Sequence, residues 1–319
     1  MSWDLPVVLW ATCGLGICLA ITGQTLGSSK VDCSIDSVLK TFSTTTSIVL
    51  QWTGDGCKEL SATLNNNNTH ENASCAEDGK TGNIYFSDLS PGVLYVVTLF
   101  NGSIQVCNSS IRTFPATVYG LDCTPNEDHS TTALDVRWDP ADGDSTLYTI
   151  MYTAKDNTTD TMCMNTTSEN ITLYNLTPGR IYNISVFTIS GDLQSQDPAN
   201  TAGQTVPATV QGLNCTPNED HSTTALDVRW DPADGDSTLY TIMYTAKDNT
   251  TDTMCTNTTS ENITFYNLTP GRIYNISVFT ISGDLQSQDP ANTTGQTGGN
   301  RGITTIKMEV DLFISLLCS

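Results

Sequence analysis

Positive charge is scarce in this sequence. Thirteen Lys and Arg face 34 Asp and Glu, for a formal net charge of −21 at pH 7. That balance repels phosphate backbones and anionic membrane surfaces, so nucleic-acid partners are excluded. Histidine is scarcer still: His70, His129 and His221, the last two being copies of one residue in a twice-occurring N-E-D-H-S-T. They read as solvated loop residues and leave little for a metal centre or a His-dependent catalytic set. No Cys pair has the C-x-x-C spacing of a zinc or redox site, and no G-x-S-x-G nucleophile turn occurs. The stretch D-P-A-D-G-D-S (139–145, 231–237) lacks the spacing and final Glu of a calcium loop, so it reads as a Pro-Gly-Asp turn. The W-S-x-W-S box and the R-G-D triplet are missing too. Catalytic residues, cofactor-binding residues, metal ligands and cofactors are therefore expected to be none.

What is present points to the secretory route. L-P-V-V-L-W-A-T-C-G-L-G-I-C-L-A-I (5–21) is apolar and runs into small and polar residues, the pattern of a signal peptide over 1–24. The alternative is an uncleaved anchor, although the run is short beside the about 20 residues of a spanning helix. Of 11 cysteines, Cys13 and Cys18 lie in that segment; Cys33, Cys57, Cys75, Cys107, Cys123, Cys163, Cys215, Cys255 and Cys318 remain. Secretion makes disulfides the default for them. Sixteen N-x-S/T sequons occur, at Asn67, Asn72, Asn101, Asn108, Asn157, Asn165, Asn170, Asn175, Asn183, Asn214, Asn249, Asn257, Asn262, Asn267, Asn275 and Asn292. That density, behind a signal sequence, predicts a glycoprotein.

The chain repeats itself. Residues 115–205 and 207–297 align without a gap and differ at five positions: Tyr119/Gln211, Asp122/Asn214, Met164/Thr256, Leu173/Phe265 and Ala202/Thr294. A period of 92 residues is too long for a solenoid unit and long enough for a domain with its own core. A divergent copy precedes them: Trp52 leads Tyr95 by 43 residues, and Trp138 and Trp230 lead Tyr182 and Tyr274 by 44. The expected organisation is a domain at 28–114, two near-identical domains at 115–206 and 207–297, and a flexible tail at 298–319.

Within a repeat the hydrophobic period is two. A-L-D-V-R-W puts Leu134, Val136 and Trp138 on one face, with Asp135 and Arg137 on the other. Tyr148, Ile150 and Tyr152 alternate with Thr149 and Met151, Ile171 with Leu173, and Tyr182, Ile184 and Val186 follow suit. These are half-buried antiparallel strands separated by turn clusters, which in ~90 residues indicates an all-β sandwich. Sequon asparagines such as Asn183 and Asn170 fall on the outward parity.

This arrangement resembles the fibronectin type III family. The Trp of the second strand (Trp52, Trp138, Trp230), the Tyr-x-Ile of the third, and an L-x-P-G-x-x-Y element carry the resemblance. That element comprises Leu89, Pro91, Gly92 and Tyr95; Leu176, Pro178, Gly179 and Tyr182; and Leu268, Pro270, Gly271 and Tyr274. The resemblance implies three tandem immunoglobulin-like sandwiches after the signal peptide, the Trp side chains in their cores, and a corner where the Tyr hydroxyl satisfies backbone groups. The cysteines are additions to the family pattern. Their equal spacing predicts Cys33–Cys75, Cys123–Cys163 and Cys215–Cys255, leaving Cys57 to pair with Cys107.

The G-L-D-C-T-P, N-T-T-S-E-N-I-T-L-Y-N-L-T-P-G and I-S-V-F-T-I-S-G runs resemble, more narrowly, ectodomain repeats of receptor-type protein tyrosine phosphatases. The phosphatase signature C-x5-R and an apolar run of spanning length after the repeats are absent. The resemblance implies a non-enzymatic adhesion or ligand-binding module, secreted or on the extracellular face of the plasma membrane, with an extracellular protein or glycan as ligand. Its specificity would come from loops at the sandwich ends or exposed strand edges, and the short T-V-P spacer (205–207) implies a semi-rigid rod. The alternative is a passive spacer or soluble decoy whose ligand site, if any, lies in the first domain. In the tail, Cys318 has no evident partner and is a candidate for crosslinking two chains.

Overall fold

Residues 40–65 and 69–299 are described by the structure, a computed structural model. The signal segment, Cys33, Asn67 and the tail from residue 300 on, with Cys318, lie outside the described residues. Strands dominate, and among the described residues one short 3-10 turn, Cys57–Glu59, interrupts them. The first repeat contains β1 (Lys40–Ser43), β2 (Ile48–Thr53), β3 (Leu60–Leu64), β4 (Thr69–Asn72), β5 (Ser74–Cys75), β6 (Thr81–Phe86), β7 (Leu94–Asn101) and β8 (Ile104–Arg112). They form two sheets, ordered β1-β2-β6-β5 and β4-β3-β7-β8.

The second repeat contains β9 (Tyr119–Pro125), β10 (Leu134–Asp139), β11 (Leu147–Ala154), β12 (Asn157–Thr166), β13 (Asn170–Leu173), β14 (Ile181–Ser190), β15 (Leu193–Gln194) and β16 (Ala199–Gln204). The third contains β17 (Gln211–Pro217), β18 (Leu226–Asp231), β19 (Leu239–Ala246), β20 (Asn249–Thr258), β21 (Asn262–Phe265), β22 (Ile273–Ser282), β23 (Leu285–Gln286) and β24 (Ala291–Gln296). Each has a sheet of three strands, β13-β10-β9 or β17-β18-β21. Each also has a sheet of five, β12-β11-β14-β15 with β16 on β14, or β20-β19-β22-β23 with β24 on β22. By backbone contacts the chain divides into two compact units, and the division falls inside the second repeat. One unit joins the stretch ending at Thr124 to Asp135–Leu173 and Ile181–Gly203; the other joins Pro125–Leu134 and Tyr174–Arg180 to the stretch from Gln204.

The period of two is realised in the packing. Along β2, β10 and β18 every second residue is buried: Ile48, Leu50 and Trp52; Leu134, Val136 and Trp138; Leu226, Val228 and Trp230. Cross-strand register brings these inward sets together, with Ile150 opposite Val186 and Ile242 opposite Val278. Trp138 meets Tyr148 edge-on with ring centres 5.3 Å apart, and Trp230 meets Tyr240 the same way. Each such side chain contributes roughly 1.5–3 kcal/mol by leaving water.

The L-x-P-G element is a corner built three times to one plan. Asp88, Asn175 and Asn267 open it with φ of 57°, 59° and 59°, and Gly92, Gly179 and Gly271 turn it with φ of 71°, 70° and 74°. A left-handed backbone of this kind suits Gly, and Asn or Asp after it. Leu89, Leu176 and Leu268 donate their N–H to the carbonyls of Thr46, Thr132 and Thr224 at 3.0, 2.9 and 2.9 Å. The Tyr95 and Tyr274 hydroxyls accept the N–H of Ser90 and Thr269, both at 2.9 Å. One buried threonine then closes each corner. The hydroxyls of Thr113, Thr205 and Thr297 each donate at 2.7 Å to the carbonyls of Ser90, Thr177 and Thr269. The same hydroxyl oxygens accept the N–H of Val93, Arg180 and Arg272 at 3.0, 3.1 and 3.1 Å.

The cysteine pairing differs from the spacing-based expectation. Cys57 bonds Cys75, with Cα atoms 5.9 Å apart, so neither Cys33–Cys75 nor Cys57–Cys107 forms. Their closeness comes from the 3-10 turn after β2, which lays Cys57 over Gly82 of β6, the partner strand of β5. Cys107 and Cys163 are also disulfide-bonded. Cys123, Cys215 and Cys255 are free thiols, so neither Cys123–Cys163 nor Cys215–Cys255 forms. The reason is strand position. Cys215 lies on β17, which runs beside β24, whereas Cys255 lies on β20, with β19 and β22 between β20 and β24. Three strand spacings are about 14 Å, far beyond the Cα separation a disulfide tolerates. Cys123 on β9 and Cys163 on β12 occupy the matching places in the second repeat.

Closing an 18-residue loop, Cys57–Cys75 should stabilise the first repeat by about 3 kcal/mol. The double variant Cys57→Ser/Cys75→Ser should lower its denaturant-unfolding free energy by that amount, leaving the other two transitions in place. The free thiols should differ in reactivity. Burial, with Asp122 and Asp135 beside it, pushes the Cys123 thiol up to about 12, and burial beside Asp227 pushes Cys215 up to about 11. The Cys255 thiol is exposed. Iodoacetamide at pH 8 should therefore label Cys255 first and Cys123 slowest, by about a hundredfold or more, because alkylation needs the thiolate. Peptide mass spectrometry reads the order directly.

Candidate functional site

The exposed faces of the sheets carry the sequons. Of the fifteen sequon asparagines among the described residues, Asn72, Asn108, Asn157, Asn165, Asn170, Asn175, Asn183, Asn214, Asn257, Asn262, Asn267, Asn275 and Asn292 are exposed. Asn101 and Asn249 are half-buried, and none is fully buried. The inward parity and the sequon parity do not overlap: Asn183 and Asn275 are exposed between buried Tyr182 and Ile184, and between buried Tyr274 and Ile276.

The acidic turns D-P-A-D-G-D-S are seated on the corners. Within the first compact unit, the Pro91 carbonyl accepts the N–H of Asp144 at 2.9 Å. The Gly92 carbonyl accepts the Ser190 hydroxyl at 2.7 Å and Arg112 Nη1 at 2.6 Å. Within the second unit, the Pro178 carbonyl accepts the N–H of Asp236 at 2.9 Å, and the Gly179 carbonyl accepts the Ser282 hydroxyl at 2.7 Å. There the Arg180 guanidinium forks onto both carboxylate oxygens of Asp236, each at 2.9 Å. Glycine is required on both sides of this contact: a Cβ on Gly235 would run into the Pro178 carbonyl, and one on Gly179 into that of Asp236.

The third repeat carries an open groove of about 410 Å³ with Tyr244, Met254, Tyr266, Leu268, Arg272 and Tyr274 among its walls. One of the five repeat differences lies against one of its walls. Where the second repeat has Leu173, Phe265 stacks on Tyr244 with ring centres 4.1 Å apart, and Tyr244 is half-buried where Tyr152 is buried. Arg272 donates to Asp248 Oδ1 at 2.7 Å and holds that carboxyl below the usual carboxylate range. The repeated histidines sit edge-on to Tyr174 and Tyr266, at 6.2 and 6.1 Å between ring centres.

Several working residues escaped the sequence reading. Thr113, Thr205 and Thr297 recur at steps of 92 residues through all three repeats, a signal available in the sequence. Arg112, Arg180, Ser190 and Ser282 gave none, since each looks like an ordinary surface residue until the turn it meets is in place.

Comparison with known proteins accounts for this architecture. The family model for the fibronectin type III domain matches residues 116–202 and 208–295, more than half of the chain. Mouse tenascin-N is 27% identical over 211 residues, which is 66% of this chain and 13% of that protein. Chicken receptor-type tyrosine-protein phosphatase eta is 26% identical over 244 residues, 73% of this chain and 17% of that protein. This chain thus spans less than a fifth of the length of these two relatives. A two-domain fibronectin type III segment of chicken tenascin aligns over 56% of this chain and 99% of its own, at 21% identity and a TM-score of 0.43. With two repeats matched by the family model and their all-β sandwich folds on view, the chain belongs to the fibronectin type III domain family.

Proposed function

We propose that this chain is a non-enzymatic, glycosylated extracellular module for adhesion or ligand binding, similar to the outer part of a receptor-type tyrosine phosphatase. It is organised as a signal peptide (1–24), a divergent domain (28–114), two near-identical domains (115–206, 207–297) and a tail (298–319). The observation that carries this reading is the division of the surface: thirteen sequon asparagines are exposed while the alternate positions of the same strands fill the cores. Such a chain is built for the secretory lumen and the space beyond it. Its ligand, an extracellular protein or glycan, would meet the loops and edges left between the sugars. The aromatic groove around Tyr244 and Tyr266 is the best-formed such place in the third repeat. Near-identical repeats then add valency, which raises avidity without new contacts.

A second reading is a passive spacer or soluble decoy with the ligand site in the first domain. The Cys57–Cys75 bridge, which the other repeats lack, favours it.

The test is secretion of the full chain from mammalian cells, alongside a chain lacking 207–297. Peptide N-glycosidase should shift the secreted mass by many glycans, and material secreted without sugars would overturn the reading. Binding of each chain to intact cells then separates the two alternatives. An avidity loss of about tenfold or more on deletion supports the module, and unchanged binding supports the spacer.

A further inference from the structure

One sheet of the first repeat differs from its counterparts in what its outer face carries. Register sets Phe42 of β1 opposite Val49 of β2, and Val49 opposite Tyr85 of β6, so the three form one apolar row. Phe42 and Val49 are half-buried, and Tyr85 is 56% exposed. A polar row runs beside it, Lys40, Gln51, Asn83 and Ser74, again by direct register. β1, β2, β5 and β6 contain no Asp or Glu, although the chain has 34, and no sequon asparagine. The described sequon residues of this repeat lie on the other sheet: Asn72 ends β4, Asn101 ends β7 and Asn108 is on β8. The matching sheets of the later repeats are polar and carry sequons. In the second, Arg137 pairs with Asp122 at 2.7 Å, Thr172 donates to Asp135 Oδ1 at 2.7 Å, and the sequon residue Asn170 is exposed. In the third, Thr264 donates to Asp227 Oδ1 at 2.7 Å, and the sequon residues Asn214 and Asn262 are exposed. Counted from the core Trp and the corner Leu, Val49 and Tyr85 stand where the later repeats place that hydrogen-bonded Asp and Thr.

We propose that this face, centred on Phe42, Val49 and Tyr85, is the docking surface for a partner protein that meets it with an apolar patch and sets a carboxylate against Lys40. The inference rests on the reading of the chain as a glycosylated extracellular module, and it adds where on that module a partner sits. A bulky glycan on a sheet face screens it from another protein, and these four strands offer no attachment point for one. Two aromatic rings flanking a β-branched residue on a flat sheet make a compact anchor, and such anchors carry most of the energy of an interface. Charge selects the partner. The strands present one cation and no anion, so an opposing carboxylate finds a complement at Lys40 and no like charge around it. A second copy of this chain is a poorer fit. Its own face brings no carboxylate to Lys40, and two chains of net charge −21 repel each other.

The test uses the full chain secreted from mammalian cells, with binding to intact cells read by flow cytometry. Tyr85→Thr turns Asn83-Ile84-Tyr85 into a sequon and sets a sugar on the exposed Asn83, in the middle of the face. Peptide mass spectrometry confirms that sugar and the Cys57–Cys75 bridge. Tyr85→Thr should abolish cell binding. Lys40→Glu, an exposed change that leaves the core alone, should weaken it about tenfold or more, while Lys40→Arg binds normally. Unchanged binding by Tyr85→Thr or by Lys40→Glu overturns the face and leaves the module reading in place, whereas an unaltered chain that binds no cells overturns both. If Tyr85→Thr is not secreted, Lys40→Glu against Lys40→Arg decides alone. Sedimentation of the unaltered chain as a dimer, and of Tyr85→Thr as a monomer, makes the occupant a second copy and overturns the partner proposed.

Discussion

One buried hydroxyl holds each corner of this protein. Thr113, Thr205 and Thr297, themselves buried, donate to one backbone carbonyl and accept from one backbone N–H across a part-buried turn. A buried polar group without a partner costs about 1–3 kcal/mol, so the bridge settles the shape of the turn as well as its stability. With the turn fixed from inside, the proline and glycine carbonyls that follow it point outward as a preset pair of acceptors. The acidic turns of D-P-A-D-G-D-S meet those acceptors because their own glycine allows backbone to approach backbone.

The two near-identical repeats show how few residues separate a packed surface from an open one. Where residue 173 is Leu the neighbouring Tyr152 is buried, and where residue 265 is Phe the neighbouring Tyr244 is half-buried and lines a groove. Tyr244 keeps its edge-on contact with Tyr274 at 6.4 Å, much as Tyr152 meets Tyr182 at 6.5 Å, and the larger ring beside it is Phe265. The corner arginines diverge without any sequence change: Arg180 lies on Asp236 and Arg272 on Asp248. Environment sets the partner of such a residue, and no property of the side chain alone predicts it.

Much of the fold was legible because parity is a local property. Leu134, Val136 and Trp138 announce an inward face within six residues, and exposed Asn183 between buried Tyr182 and Ile184 confirms it. The corner was legible for a similar reason, since Pro, Gly and Tyr are each needed there for a stated geometry. The cysteine pairing was not. Equal spacing of Cys215 and Cys255 with Cys123 and Cys163 says that two repeats share a plan, but not which edge of which sheet each residue occupies. Strand order is a non-local fact, and it separates those pairs. The seats for the acidic turns were hidden likewise: Asp144 and Asp236 look like solvated turn residues until a carbonyl 2.9 Å away takes their N–H.

The central claim is that the threonine hydroxyl sets the corner and the corner seats the next turn. Replacing Thr205 by Val, which keeps the shape and removes the hydroxyl, tests it through hydrogen exchange at the amide of Asp236, a group the threonine does not touch. The account predicts faster exchange there in Thr205→Val, near-normal exchange in Thr205→Ser, and no change at Asp144. Equal protection of Asp236 in Thr205→Val and the unaltered chain would contradict it.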